Sequence, residues 1–209
     1  LNEDEVQALL SDTEESLWHS MVLVAVKTGM RFGELAGLQW SDIDLDRGII
    51  TVSHSFYKGV LDTPKNGKIR HLWMTPSLLQ WFEKNRKESG YVFQREDGRP
   101  VVYDVALTAL RRLCRRTGVR RIGWHTLRHT FATSMLERHV PLGVVREFLG
   151  HFSVSMTEKY AHVVPSMLKE AATALDTPLQ REKLVTIRAT DSEDAQNVPQ
   201  DAAEKRPTL

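Results

Sequence analysis

Glycine and proline punctuation in the second half of the chain constrains its fold more than any other feature. Between residues 104 and 175 apolar side chains recur at helical spacing, and Gly118, Gly123, Pro141, Gly150 and Pro165 break that pattern. The spacing predicts helices over residues 104–117, 126–137, 142–149, 155–160 and 165–175. The first half is more mixed. Helices are predicted over residues 2–10 and 12–27, the second capped by Asp12 or Thr13, striped by Leu17, Met21 and Val24, and stopped at Gly29. One or two further turns follow over 31–38. From Trp40 the period shortens: Ile49-Ile50-Thr51-Val52 and Ser55-Phe56-Tyr57 read as strand. Residues 68–74 read as their partner after the turn Pro64-Lys65-Asn66-Gly67. Thr75-Pro76-Ser77 then opens a helix to about residue 88, with proline in its tolerated first turn. Trp18, Trp40, Trp73 and Trp81 read as core. The expected fold class is mainly α with one small antiparallel β-sheet (α+β).

After Asp176 the sequence is polar and aperiodic, with Pro178, Pro199 and Pro207. A folded domain over 1–176 and a disordered tail over 177–209 are therefore expected. The single cysteine, Cys114, excludes an intramolecular disulfide and suits a reducing compartment. No apolar run approaches the roughly 20 residues that span a bilayer. The acidic opening Leu1-Asn2-Glu3-Asp4-Glu5 is unlike a signal peptide. These features predict a soluble cytoplasmic protein without a membrane partner, and the start at Leu1 reads as a piece of a longer chain.

The net charge of +1 hides an asymmetry. Residues 1–26 carry six acids and no Lys or Arg, and residues 176–209 carry seven acids against five bases. Removing −6 and −2 from +1 leaves +9 on residues 27–175. No acid lies between Asp104 and Glu137, while Arg111, Arg112, Arg115, Arg116, Arg120 and Arg121 do, together with Arg128. A solvated helix face usually mixes both signs; a face of one sign favours a polyanion, which releases condensed counterions on binding. These six arginines are the expected nucleic-acid-binding group.

Four patches carry chemistry. Thr28-Gly29-Met30-Arg31-Phe32-Gly33-Glu34-Leu35 sets an arginine just beyond a helix-ending glycine with a carboxylate three residues on. Lys65 sits in a turn. In His125-Thr126-Leu127-Arg128-His129, His125 and Arg128 share a helix face. Leu149-Gly150-His151 is followed nine residues later by Tyr160. Two planar guanidinium forks suit the oxygens of a phosphate. Histidines move protons near neutral pH, and a tyrosine hydroxyl among cations and a base becomes a nucleophile. The spacing of His125 and His129 also fits metal ligation, but the intervening residues are Thr-Leu-Arg, and a cation there repels a divalent ion. The set suits attack on a phosphodiester through a covalent phosphotyrosine.

The order Arg…Lys…His-x-x-Arg…His…Tyr resembles the catalytic domain of the tyrosine recombinases, the phage-type integrases, over residues 1 to about 175. The resemblance implies that fold, with Tyr160 as nucleophile, Arg31 and Arg128 as phosphate clamps, and Lys65 as general acid for the 5′ oxygen. Lys68 in the same turn is the alternative to Lys65. His125 and His151 would serve as acid/base and hydrogen-bonding groups, with Glu34 in support. It further implies strand breakage and rejoining of double-stranded DNA without metal, ATP or other cofactor. Tetramers would form on paired sites and exchange a C-terminal helix, here residues 166–175. An N-terminal DNA-clamping domain, present in full-length members, is expected to be missing. A type IB topoisomerase-like relaxing enzyme and a catalytically inactive DNA-binding relative are the rival readings.

Overall fold

A computed structural model describes residues 1–11, 16–63, 67 and 69–150. The predicted helices over 155–160 and 165–175, and the tail, lie outside the described residues.

Helix α1 (Glu3–Leu10) starts at a reciprocal cap: Asn2 Oδ1 accepts from the Glu5 amide at 2.8 Å, and the Glu5 carboxylate accepts from the Asn2 amide at 2.9 Å. Helix α2 (Leu17–Thr28) is capped by Ser16. It buries Met21, Val22, Val24 and Ala25 and ends at Gly29, whose φ of 65° is left-handed. A Cβ at Gly29 would lie 2.4 Å from the Phe131 ring, so only glycine lets the end of α2 approach the Phe131 helix this closely. Helix α3 (Phe32–Gly37) follows at once.

The strands depart from expectation. β1 (Ile43–Asp44), β2 (Ile49–Val52) and β5 (Arg70–Trp73) form an antiparallel sheet in the order β1-β2-β5, with Ile50 opposite Leu72. β3 (Ser55–Tyr57) and β4 (Val60–Asp62) make a second, two-stranded sheet. The predicted turn over 64–67 therefore does not join directly paired strands: β5 returns to β2, across an inserted hairpin. The cause is local. Lys58 and Gly59 have φ of 48° and 86°, the pair of positive values that a two-residue hairpin turn requires. β3 is drawn against α3, where Gly33 and Gly37 leave room: a Cβ on Gly33 would sit 2.5 Å from Ser55 Oγ.

Helix α4 (Pro76–Lys84) begins at the Thr75 cap and buries Leu78 and Phe82. It ends four residues earlier than predicted, at Asn85, whose side-chain amide donates to the Trp81 carbonyl at 2.8 Å. Phe82 meets Trp40 edge-on and Trp81 stacks on Phe93. Trp73 corrects the core expectation, being 62% exposed. Alternation along edge strand β5 turns Leu72 inward and Trp73 out.

Helices α5 (Tyr103–Arg116), α6 (Trp124–Glu137) and α7 (Leu142–Leu149) complete the described chain. α6 packs on α2 and α7. The main core joins α1 to α5, the three-stranded sheet and the start of α6, and a smaller cluster of Phe131, Ala132, Leu136, Val145 and Leu149 sits between α6 and α7. Among the described residues no helix is long and apolar enough to cross a membrane.

Candidate active site

The left-handed stop at Gly29 reverses the chain just before Arg31, which occupies the N-cap position of α3. Glu34 lies one turn on and is 1% exposed. Its Oε2 accepts from the Arg31 amide at 2.8 Å and its Oε1 from Arg31 Nη1 at 2.9 Å. This reach back to the cap residue fixes the first turn of α3 and holds the Arg31 side chain, which stays 25% exposed.

Arg128 comes from the first half of α6 and is 1% exposed. It donates from Nη1 to the Gly29 carbonyl at 2.6 Å and from Nη2 to the Leu149 carbonyl at 2.5 Å. One guanidinium thus joins the turn leading to Arg31 to the end of α7, two residues before His151. Both acceptors are late carbonyls of helix ends, where orphaned oxygens and the helix dipole favour a cation.

His125 stands on the exposed first turn of α6. Desolvation, then the charges of His129, Arg128 and Arg31, hold its pKa below the ordinary histidine value, so the ring is neutral at pH 7. The His129 ring meets it edge-on at 4.4 Å. An aromatic bracket fixes the surroundings: Phe32 contacts Tyr103 at 5.1 Å and Trp124 at 5.6 Å, tying the Arg31 turn to the starts of α5 and α6.

Arg31, Glu34, His125 and Arg128 are therefore brought together by α2, α3 and α6. Lys65, its alternative Lys68, His151 and Tyr160 lie outside the described residues. The six arginines of the basic stretch are placed elsewhere. Arg111, Arg112, Arg115 and Arg116 occupy the last two turns of α5, about 12–20 Å along the axis from Tyr103, and Arg120 and Arg121 follow in the loop. Arg120 is ion-paired with Glu5 at 2.9 Å. Arg111, Arg112, Arg115 and Arg121 line one groove with Thr108.

Sequence reasoning missed Arg70. Its Nη1 and Nη2 donate to Glu34 Oε1 and Oε2 at 3.0 and 2.7 Å, and its Nε donates to the Phe148 carbonyl at 2.9 Å. Burial alone would raise the Glu34 carboxyl, but the hydrogen bonds and charge of Arg70, with the charge and amide of Arg31, hold it below the ordinary glutamate range. The available signal was parity: Arg70 and Leu72 lie two apart on one strand, so the arginine shares the buried face.

A mainly helical domain with small antiparallel sheets is the fold class of tyrosine recombinase catalytic domains. The chain belongs to the phage integrase family, whose model matches residues 1–167. It is 29% identical to a tyrosine recombinase XerC-like protein of Caldanaerobacter subterraneus subsp. tengcongensis, over 84% of this chain and 53% of that one. It is 31% identical to the tyrosine recombinase XerA of Pyrococcus furiosus, over 82% of this chain and 59% of that one. The chain thus spans little more than half the length of these curated relatives. Its fold resembles the solved catalytic domain of bacteriophage HP1 integrase, with a TM-score of 0.63 and 25% identity over 86% of this chain and 98% of that one.

Proposed function

We propose that this chain is the catalytic part of a site-specific DNA recombinase that breaks and rejoins strands through a 3′-phosphotyrosyl intermediate, without metal or ATP. The observation that carries the reading is the convergence of Arg31, Glu34, His125 and Arg128 at one junction. The names of the relatives favour recombination over topoisomerase-like relaxation. In the proposed step Tyr160 Oη bonds to phosphorus while the bond from phosphorus to the 5′ oxygen breaks, and Lys65 supplies the proton that this oxygen takes. Arg31 and Arg128 offset the charge on the non-bridging oxygens. His125, neutral at pH 7, accepts or relays a proton, and His151 donates a hydrogen bond to the same phosphate. A 5′ hydroxyl from a partner duplex reverses the step, so the phosphodiester is conserved.

The substrate is double-stranded DNA, with the α5 arginines on its backbone. A separation of about 12–20 Å between that group and the start of α5 suits a polymer rather than one small phosphate, since a strand advances about 3.4 Å per phosphate. The working assembly is a homotetramer on paired sites, exchanging a helix over residues 166–175, and it acts on DNA in the cytoplasm.

Trapping tests the reading. Nicked duplexes from a sequence-diverse pool release a short strand after cleavage and leave an SDS-resistant protein–DNA adduct. Wild type should give the adduct and Tyr160→Phe should not, with DNA binding intact in both. An adduct that survives in Tyr160→Phe would move the nucleophile elsewhere. If wild type forms no adduct either, the reading reduces to DNA binding alone.

A further inference from the structure

The Glu34 carboxylate accepts four hydrogen bonds, two from Arg31 and two from Arg70. With Arg31 alone, Glu34 would form a closed, neutral pair, and a phosphate would have to compete with the carboxylate for the guanidinium. With Arg70 the trio carries +1, and the second arginine shares the charge of the carboxylate. Arg70 is itself fixed from a third side by the Phe148 carbonyl. Gly150 lies flush against it: a Cβ there would sit 3.1 Å from Arg70 Cδ, at a φ of 60°. The Arg70 side chain is 9% exposed. Among the described residues, the charged groups facing Glu34 are Arg31 from its own turn and Arg70 from β5, while β3 presents Ser55 to the neighbouring Gly33.

We propose that Arg70 is a positioning residue: it orients Glu34 so that the Arg31 guanidinium is held in place yet left cationic, and it ties that pair to the end of α7 before His151. The inference rests on the catalytic reading above for its effect on cleavage, and on geometry alone for its hold on Glu34. Arg70 also begins the strand that follows the segment bearing Lys65, five residues upstream. One side chain therefore joins strand β5 to the Arg31 turn and to the end of α7.

Two variants test it, Arg70→Met and Arg70→Lys, each measured for DNA binding, adduct formation on the nicked duplex trapped above, and thermal unfolding from pH 4 to 7. Arg70→Met should form adduct about a hundredfold more slowly, with the binding midpoint within about twofold. Arg70→Lys, which keeps the charge and loses the fork, should fall between Met and wild type. The acid limb of the rate profile should move to higher pH in Arg70→Met, because Glu34 then takes up a proton more readily. Unfolding reads the hold on Glu34 without any cleavage. The wild-type carboxyl is lowered, so its contribution to stability is lost as pH falls; in Arg70→Met burial acts unopposed by this partner, and acid relieves it. The Tm gap between the two should be widest at pH 7 and narrow toward pH 4, and adding Glu34→Gln should flatten it. Wild-type cleavage in Arg70→Met, or binding and cleavage lost in parallel, would overturn the positioning role. A Tm gap independent of pH would overturn the hold on Glu34. A wild-type protein that forms no adduct would sink the catalytic reading, while the unfolding series would still decide whether Arg70 governs Glu34.

Discussion

The junction around Arg128 and the basic end of α5 are both rich in arginine, and they use it in opposite ways. At the junction Arg128 is 1% exposed and spends two donors on backbone carbonyls, and Arg70 spends three on Glu34 and Phe148. On α5, Arg112 and Arg115 are exposed on the helix surface. A buried guanidinium has one orientation because every alternative leaves a carbonyl or a carboxylate unpaired, whereas an exposed one samples many at little cost. The first arrangement suits a reaction that needs fixed geometry, the second suits adhesion to a charged polymer. Clustering of charge in the sequence marks only the second.

The sharpest way to break that contrast is Arg128→Met. It leaves the carbonyls of Gly29 and Leu149 without their buried donor, which should cost about 3–5 kcal/mol and lower Tm by about 10 °C. Arg128→Lys can keep one of the two bonds and should lose about half as much. Adduct formation should fall at least about a hundredfold in both variants. Differential scanning calorimetry beside the trapping assay checks this. Two variants as stable as wild type would show that the junction is not held by this side chain.

His125 provides an intermediate case, exposed but surrounded by cations. Desolvation and the neighbouring charges lower its pKa, so the neutral ring is favoured in the folded protein. The sign follows: His125 costs no stability above the unfolded histidine value of about 6.5 and penalises folding as pH falls below it. Proton NMR should show it titrating below that value. Replacing Arg31 or His129 with Gln should move it back toward ordinary, the His129 change more than the Arg31 change. An unmoved titration in both variants would assign the shift to desolvation and the Arg128 charge.

The sequence carried the helices well because their evidence is local. Residues 142–149 fold as read, and the predicted 104–117 lies one residue from Tyr103–Arg116. Strand pairing was harder. Lys58-Gly59 lacks the Asn-Gly or Asp-Gly signal of a tight hairpin, and β3 leaves the main sheet because two glycines of α3 admit it. Arg31, Glu34, His125 and Arg128 were legible as motif positions. The arrangement that fixes them was not, because it is made by contacts far apart in sequence. Arg70 meets Glu34 across 36 residues, and Arg128 meets the Gly29 carbonyl across 99. Nothing around Arg70 in the chain announces either partner.

The smallest expected effect sharpens the other side of the contrast. Arg112 and Arg115 lie three apart on α5 and line the same groove as Arg111 and Arg121. Because both are exposed, Arg112→Gln with Arg115→Gln should change folding stability by no more than about 0.5 kcal/mol. If each neutralises one phosphate, log K against log salt should become shallower by about 0.9 per arginine, so by about 1.8 for the pair. The rate of adduct formation at saturating DNA should hold within about twofold, since neither side chain is part of the junction that fixes Arg31 and Arg128. A fluorescence-anisotropy salt titration measures the slope, and single-turnover trapping measures the rate. An unchanged slope would place the DNA backbone away from this end of α5. A rate that falls with the slope would mean that the basic end helps set the phosphate in register with Arg31, and the division between fixed and adhesive arginines would then dissolve into one continuous binding track.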